Sequence, residues 1–395
     1  MGSPFAPLWG LDPAVAFLNH GSYGATPLAV LEKQRQWRDR MERQPVQFLG
    51  RDLRGLLESA RTEVADYIRC DPADLGFVPN ATTGVNTVLR WLRLEPGDEL
   101  LTTNHAYGAC RNALEATALW TGAKVVVADV PFPLESEDDV VDAILGAVSP
   151  RTKVAVLDHV TSPTAMVLPI QRLVLELAAR GVETLVDGAH APGMVEVDVA
   201  SLGAAWYTGN GHKWLCSPKG AGFLHVRRNL QEGIHPLVIS HGATSPLDAK
   251  SRFEREFEWV GTLDPTAYLG LSDSIRYIGS VLPGGWPEVR GRNRALALEA
   301  RDILCGALAL PAPCPDSMLG SMATLPLPTP SRGSPAREWQ AWDWQRELLA
   351  RGFELPVLKF PPGSERVVLR VSAQLYNSRD EYVRLAATLE DLLAS

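Results

Sequence analysis

Residues 182–214, VETLVDGAHAPGMVEVDVASLGAAWYTGNGHKW, contain two short apolar runs, each leading to a charged side chain set among glycines. Val182 to Val186 is apolar and rich in β-branched residues, and Gly188, Pro192 and Gly193 forbid its continuation. The run therefore reads as a core strand that ends at Asp187, where open α/β sheets place their ligands. Ala204 to Thr208 repeats the pattern, and Gly209, Gly211 and His212 then hold Lys213 on a tight loop. Taken singly, Asp187 is an ordinary turn former and Lys213 an ordinary solvated lysine. Together with His190, they are the set that pyridoxal 5'-phosphate requires. The lysine amine forms a Schiff base with the aldehyde, and the carboxylate keeps the ring nitrogen protonated so that the ring accepts electrons.

The flanking chain supplies an α/β frame. Strand-like LGFVPN passes through Asn80, Ala81, Thr82, Thr83 and Gly84 into a helical run. Such a turn offers free backbone N–H groups and the positive end of a helix dipole, which makes Thr82 and Thr83 the expected phosphate-side hydroxyls. Strand LLTT leads to His105 and Tyr107, then a helix. KVVVADV, a helix near 137–147 and KVAVLDHV continue the βα alternation of a parallel sheet, with Thr161 and Ser162 at the same strand-end region as Asp187. Residues 28–69 read as helical, broken at Pro45, and a boundary falls near 281–288 before a long helix RNRALALEARDILCGAL. The Pro-rich 322–339 reads as a strand and a loop, followed by helix QAWDWQRELLARG and strand VVLRVSAQLYNS.

The D-G-A-H and G-N-G-H-K-W motifs, with F-L-N-H-G-S-Y-G at 17–24, resemble the class V aminotransferase family of fold type I pyridoxal phosphate enzymes, most of all its isopenicillin N epimerase-like branch. The resemblance implies a large domain, 21–282, with a mainly parallel seven-stranded sheet flanked by helices, and a smaller α+β domain of 1–20 and 283–395. It makes Lys213 the Schiff-base lysine, Asp187 the pyridinium partner, His190 a donor to the ring hydroxyl or a neighbour near the ring, and His212 a phosphate ligand. It places an aromatic residue after the LLTT strand against the cofactor ring, for which His105 is the better match, with Tyr107 facing Lys213 from the other side. Asn19 and His20 are expected near substrate. Arg370 is expected on the substrate carboxylate, a bidentate role that lysine cannot imitate. Thr262 matches the G-T element that reaches the neighbouring subunit's phosphate, implying a homodimer with shared sites. The chain departs from the pattern at Leu263, where the family carries arginine.

The same residues serve epimerisation, β-elimination of sulfur and transamination, and the sequence leaves these open. A non-catalytic cofactor-binding sensor is the reading from a different class, disfavoured by the presence of both Lys213 and Asp187. Persulfide-forming desulfuration is disfavoured because residues 315–369 contain no cysteine. The net charge of −8 offers no basis for a nucleic-acid or anionic-membrane surface. The five dispersed cysteines lack a C-x-x-C pair, and no stretch approaches a membrane span, so a cytoplasmic location without structural zinc is expected.

Overall fold

The apolar runs become the strands of one seven-stranded sheet in the computed structural model, which describes residues 2–245, 250–330 and 335–394. After a short β1 (Ala16–Phe17), the sheet comprises β2 (Leu75–Val78), β3 (Glu99–Thr103), β4 (Lys124–Ala128), β5 (Thr152–Asp158), β6 (Glu183–Gly188), β7 (Trp206–Asn210) and β8 (Gly222–Val226). Their order is β2-β8-β7-β6-β5-β3-β4. β3 to β7 run parallel, and β8 returns antiparallel between β7 and β2.

Alternation along each strand sorts its side chains between two cores. Leu100, Val156, Leu185 and Trp206 face the helices Ala81–Trp91 and Gly108–Thr121. Leu101, Leu157, Val186 and Tyr207 face the opposite layer, which includes helices Leu53–Ile68, Glu137–Gly146 and Ile170–Ala178. Both faces are covered, which is why the central strands read as nearly unbroken apolar runs.

A second sheet, β9 (Met322–Pro326), β11 (Val357–Lys359) and β12 (Val367–Ser372), is antiparallel in the order β11-β12-β9. Between them in sequence, β10 (Phe353–Glu354) pairs in parallel with β1. The N-terminal segment is thereby stitched to β12, where Ser372 N–H donates to the Leu18 carbonyl at 2.8 Å. This brings Arg370, on β12, against the loop that follows β1.

Residues 28–69 are helical with the break expected at Pro45: helix Leu28–Arg43 ends there, and Pro45–Gln47 and a π-helical Phe48–Asp52 lead into helix Leu53–Ile68. Other boundaries differ from those expected. The long helix is Gly285–Ala307, extended backwards through Pro287, whose missing N–H is harmless in a first turn. Only Val367–Ser372 of the last strand pairs, because Gln374 to Asn377 form a turn closed by Asn377 N–H to the Gln374 carbonyl. Helices Thr266–Val281 and Arg379–Ala394 had no clear counterpart in the sequence reading. Residues 331–334 of the Pro-rich segment lie outside the described residues. Among the described residues no helix is long and apolar enough to cross a membrane, and no group of His, Cys, Asp and Glu is placed to hold a metal ion.

Gly84 lets helix Ala81–Trp91 lie directly on β7: a Cβ there would stand 2.0 Å from Thr208 Oγ1. Gly84→Ala is expected to lower stability by about 1–3 kcal/mol through overpacking, read as a lower urea midpoint.

Candidate active site

Four parallel strands deliver their following loops to one cavity of about 410 Å3 at their carboxyl ends. Asp187 comes from β6, Lys213 from the loop after β7, Ser162 from the loop after β5 and Tyr107 from the turn after β3. The N-terminal loop contributes Gly21, Ser22 and Tyr23, and the start of helix Ala81–Trp91 contributes Asn80 to Thr82.

Lys213 is the buried centre of this arrangement. Its Nζ lies 2.9 Å from His190 Nε2 and 5.9 Å from the centre of the Tyr107 ring, with no carboxylate in ion-pair contact among the described residues. Burial pushes its amine down to about 8, helped by the charge of Arg370 and opposed chiefly by that of Asp187. Its backbone is held as well: fully buried His20 spans Lys213 O at 2.9 Å and Tyr376 Oη at 2.8 Å. A carbonyl can only accept, so His20 carries its hydrogen on Nε2 and accepts a hydrogen bond from the tyrosine hydroxyl at Nδ1.

Asp187 is oriented by two donors, Ala189 N–H at 2.9 Å and the Cys110 thiol at 3.1 Å. Beside it, in register on β5, stands Asp158. Burial and then the Asp187 charge push the Asp158 carboxyl well above the usual carboxylate range. Asp158 is thereby held toward its neutral form beside Asp187. His190 and His212 are both pushed down by burial, His212 to about 4, so both are neutral.

At the helix end, Asn210 Oδ1 accepts from Ala81 N–H and Asn80 Oδ1 from Thr83 N–H, both at 2.8 Å. Thr82 N–H is left without a protein partner among the described residues, and His212 Nδ1 is a buried orphan nearby. A free N–H at a helix N-terminus, with an unpartnered imidazole nitrogen beside it, fits a phosphate. On the other side, Arg370 is buried, with Nη1 3.2 Å from Ser162 Oγ, Nη2 2.8 Å from Ser22 Oγ and Nε without a partner. Burial lowers it to about 10, so it remains a cation at neutral pH. The residues present therefore fit pyridoxal phosphate: phosphate donors at one end, Asp187 for a ring nitrogen, a lysine amine, and a cation for a substrate carboxylate.

Of the expected site residues, Lys213, Asp187, Tyr107, Thr82, Ser162 and His212 line the cavity, while His190 and Arg370 contact it through Lys213 and Ser162. Others do not. His105 lies outside this lining: its ring nitrogens are engaged by Val130 O at 2.9 Å and Thr164 Oγ1 at 2.6 Å, and the ring packs on Phe360 and Phe132. Tyr107, 44% exposed, is the aromatic residue that faces the cavity. Asn19 and His20 support rather than line it, Asn19 donating to Glu354 Oε1 at 3.1 Å, and Ser22 and Tyr23 take the positions expected of them. Thr83 is consumed by capping, its hydroxyl also bonding Asn80 Oδ1. Thr262 is exposed and outside the cavity lining of its own chain. The sequence reading passed over Asp158, which ends its apolar run just as Asp187 does. It also passed over Asn80, Asn210, Cys110 and Lys219, which carry no local signal of a shared cavity.

The aminotransferase class-V family matches residues 23–304. Isopenicillin N epimerase of Amycolatopsis lactamdurans is 36% identical over 97% of this chain and 96% of that protein. A probable chloroplastic L-cysteine desulfhydrase of Arabidopsis thaliana is 31% identical over 97% of this chain and 84% of that protein. Among solved structures, the cysteine desulfurase CsdA of Escherichia coli superposes with a TM-score of 0.78 at 22% identity, covering 99% of this chain and 98% of that one. The cystine C-S lyase C-DES gives 0.79 at 21%, covering 96% and 98%. These likenesses establish a fold type I architecture.

In cofactor-free protein, trapping of Lys213 by a small aldehyde and borohydride should rise with pH to a half-point near 8, followed by mass spectrometry. Asp187→Asn removes the charge that favours the ammonium form, so the half-point should fall; Arg370→Gln should raise it.

Proposed function

The chain belongs to the aminotransferase class-V family, and from that premise we propose that it acts at the α-carbon of an amino-acid-like substrate, with inversion there as its reaction. It is a pyridoxal phosphate enzyme, and the cofactor, held on Lys213, supplies an electron sink that makes the α-proton labile. The observation that carries the reading is the buried Lys213 amine, near Asp187 and a buried arginine, with no carboxylate in ion-pair contact and the arginine Nε unpaired among the described residues. The hydroxyl and free N–H of Thr82, with His212, would hold the phosphate, Asp187 the ring nitrogen, and Arg370 with Ser22 and Ser162 the substrate carboxylate.

The proton chemistry falls to two side chains. Lys213, its Nζ freed when the substrate amine takes its place on the cofactor and near its neutral form at pH 8, would then take the α-proton at Nζ. Tyr107 keeps its hydroxyl proton, because burial and then the neighbouring Tyr23 raise it, and it fronts the cavity to return a proton from a different direction. β-Elimination is the second reading, favoured by the similarity to L-cysteine desulfhydrases over nearly the whole chain. It would need Tyr107 or a neighbour to protonate the leaving sulfur.

We also propose a homodimer, in which exposed Thr262 serves the partner's phosphate site. Consecutive exposed Leu237, Val238 and Ile239 support it, since such an apolar stretch fits an interface. Residues 21–282 are proposed as the large domain, 1–20 and 283–395 as the small one, and the cytoplasm as the location.

The decisive experiment offers the enzyme L-amino acids, S-substituted cysteines and a penicillin bearing an aminoadipyl side chain, in deuterated water. Inverted, α-deuterated product by chiral chromatography is expected; pyruvate with released sulfur, or an oxo acid, would replace this reading with elimination or transamination. Lys213→Ala should lose covalent cofactor attachment and all turnover. Tyr107→Phe should slow inversion by about 10²–10⁴-fold while α-deuteration with retained configuration persists.

A further inference from the structure

Trp214, immediately after the lysine, has no part in the chemistry above, yet it is among the largest fully buried side chains of the protein. Its ring packs against His20 with centroids 4.9 Å apart, and its one polar group, Nε1–H, points at His190 Nδ1 at 3.4 Å. Indole N–H is a donor only. His190 is buried and neutral, so one of its ring nitrogens carries a hydrogen and the other a lone pair. The indole N–H claims the lone pair at Nδ1, which leaves the hydrogen on Nε2. That nitrogen lies 2.9 Å from Lys213 Nζ.

An N–H facing Nζ is matched by a lone pair and opposed by an ammonium, whose nitrogen has none. We propose that Trp214 is a positioning residue: it fixes His190 as an Nε2–H donor aimed at Lys213 Nζ and so favours the neutral amine at the point of cofactor attachment. The role assigned to Lys213 rests on the proposed function; the geometry of the histidine does not. The other groups facing Nζ are Asp187 from β6, Asp158 from β5, Cys110 from helix Gly108–Thr121, Tyr107 before that helix, and Arg370 from β12. The charge of Asp187 favours the ammonium form, and Arg370 opposes it. Trp214 acts on the same balance without a charge, by choosing which imidazole nitrogen meets the amine.

Imidazole proton–nitrogen correlation spectra of histidine-labelled protein, as purified and after cofactor removal, test this directly, with His190→Gln assigning the signal. Hydrogen on His190 Nε2 is expected in wild type. Trp214→Phe keeps a ring in the core but removes the N–H, so hydrogen on Nδ1 should become populated. The half-point for aldehyde trapping of Lys213 should then rise by about half to one pH unit, since Nε2 can now accept from an ammonium. Hydrogen on Nδ1 in wild type overturns the proposal, as does a folded Trp214→Phe protein with an unmoved half-point and an unchanged tautomer. If that variant fails to fold, the wild-type spectrum decides alone. A wild-type protein that binds no cofactor would sink the proposed function but leave the tautomer result to stand by itself.

Discussion

A lysine amine buried with no carboxylate in ion-pair contact among the described residues is the constraint around which the rest of this structure is arranged. Moving an ammonium out of water is expensive unless it is paired, and a protein that forgoes the pairing drives the group toward its neutral form. Here Asp187 is close enough to act through its field but not in ion-pair contact, and Arg370 opposes it. The result is an amine near 8, reactive at a pH where an exposed lysine is almost wholly charged.

Two histidines on either side of Lys213 hold this arrangement in place. His20 binds the backbone carbonyl and His190 meets the side-chain amine. His20 belongs to the loop after β1, which β10 and β12 stitch to the second sheet, so the position of Lys213 depends on both sheets. Gly24 and Gly193 permit the close approach: a Cβ at either would stand 2.4 Å from a backbone oxygen, that of His212 or of Trp214. The N-terminal segment is thus a structural support for the lysine loop as well as part of the cavity wall.

Similarity to epimerases and to desulfhydrases over nearly the whole chain fits a site whose constant parts serve the cofactor and whose variable parts choose the outcome. Under the proposed function, Lys213, Asp187 and the helix start at Asn80–Thr82 would serve the cofactor. Tyr107, Tyr23 and Ser22 line the open side of the cavity, where substrate side chains would lie. Fold likeness to cysteine desulfurases carries no further than architecture, and residues 315–369 offer no cysteine for that chemistry.

The order of strands and helices from β2 to β8 was legible in the sequence because covered strands must be apolar and their ends must be marked by glycine, proline or a cap. Asp187, Lys213 and Thr82 were legible for the same reason, each standing where a run stops. The sequence reading set both His105 and Tyr107 at the cofactor ring, whereas only Tyr107 lines the cavity. That choice depends on Phe132, Phe360 and Thr164, which lie far along the chain and enclose His105. Nor did it show that Asn19 and His20 face the protein rather than substrate, or that Trp214 meets His190, since both outcomes are contacts between segments brought together only by packing. Local pattern fixes where a strand ends and which chemical groups stand there; tertiary packing alone decides which nitrogen faces which, because hydrogen-bond direction and burial depend on neighbours distant in sequence.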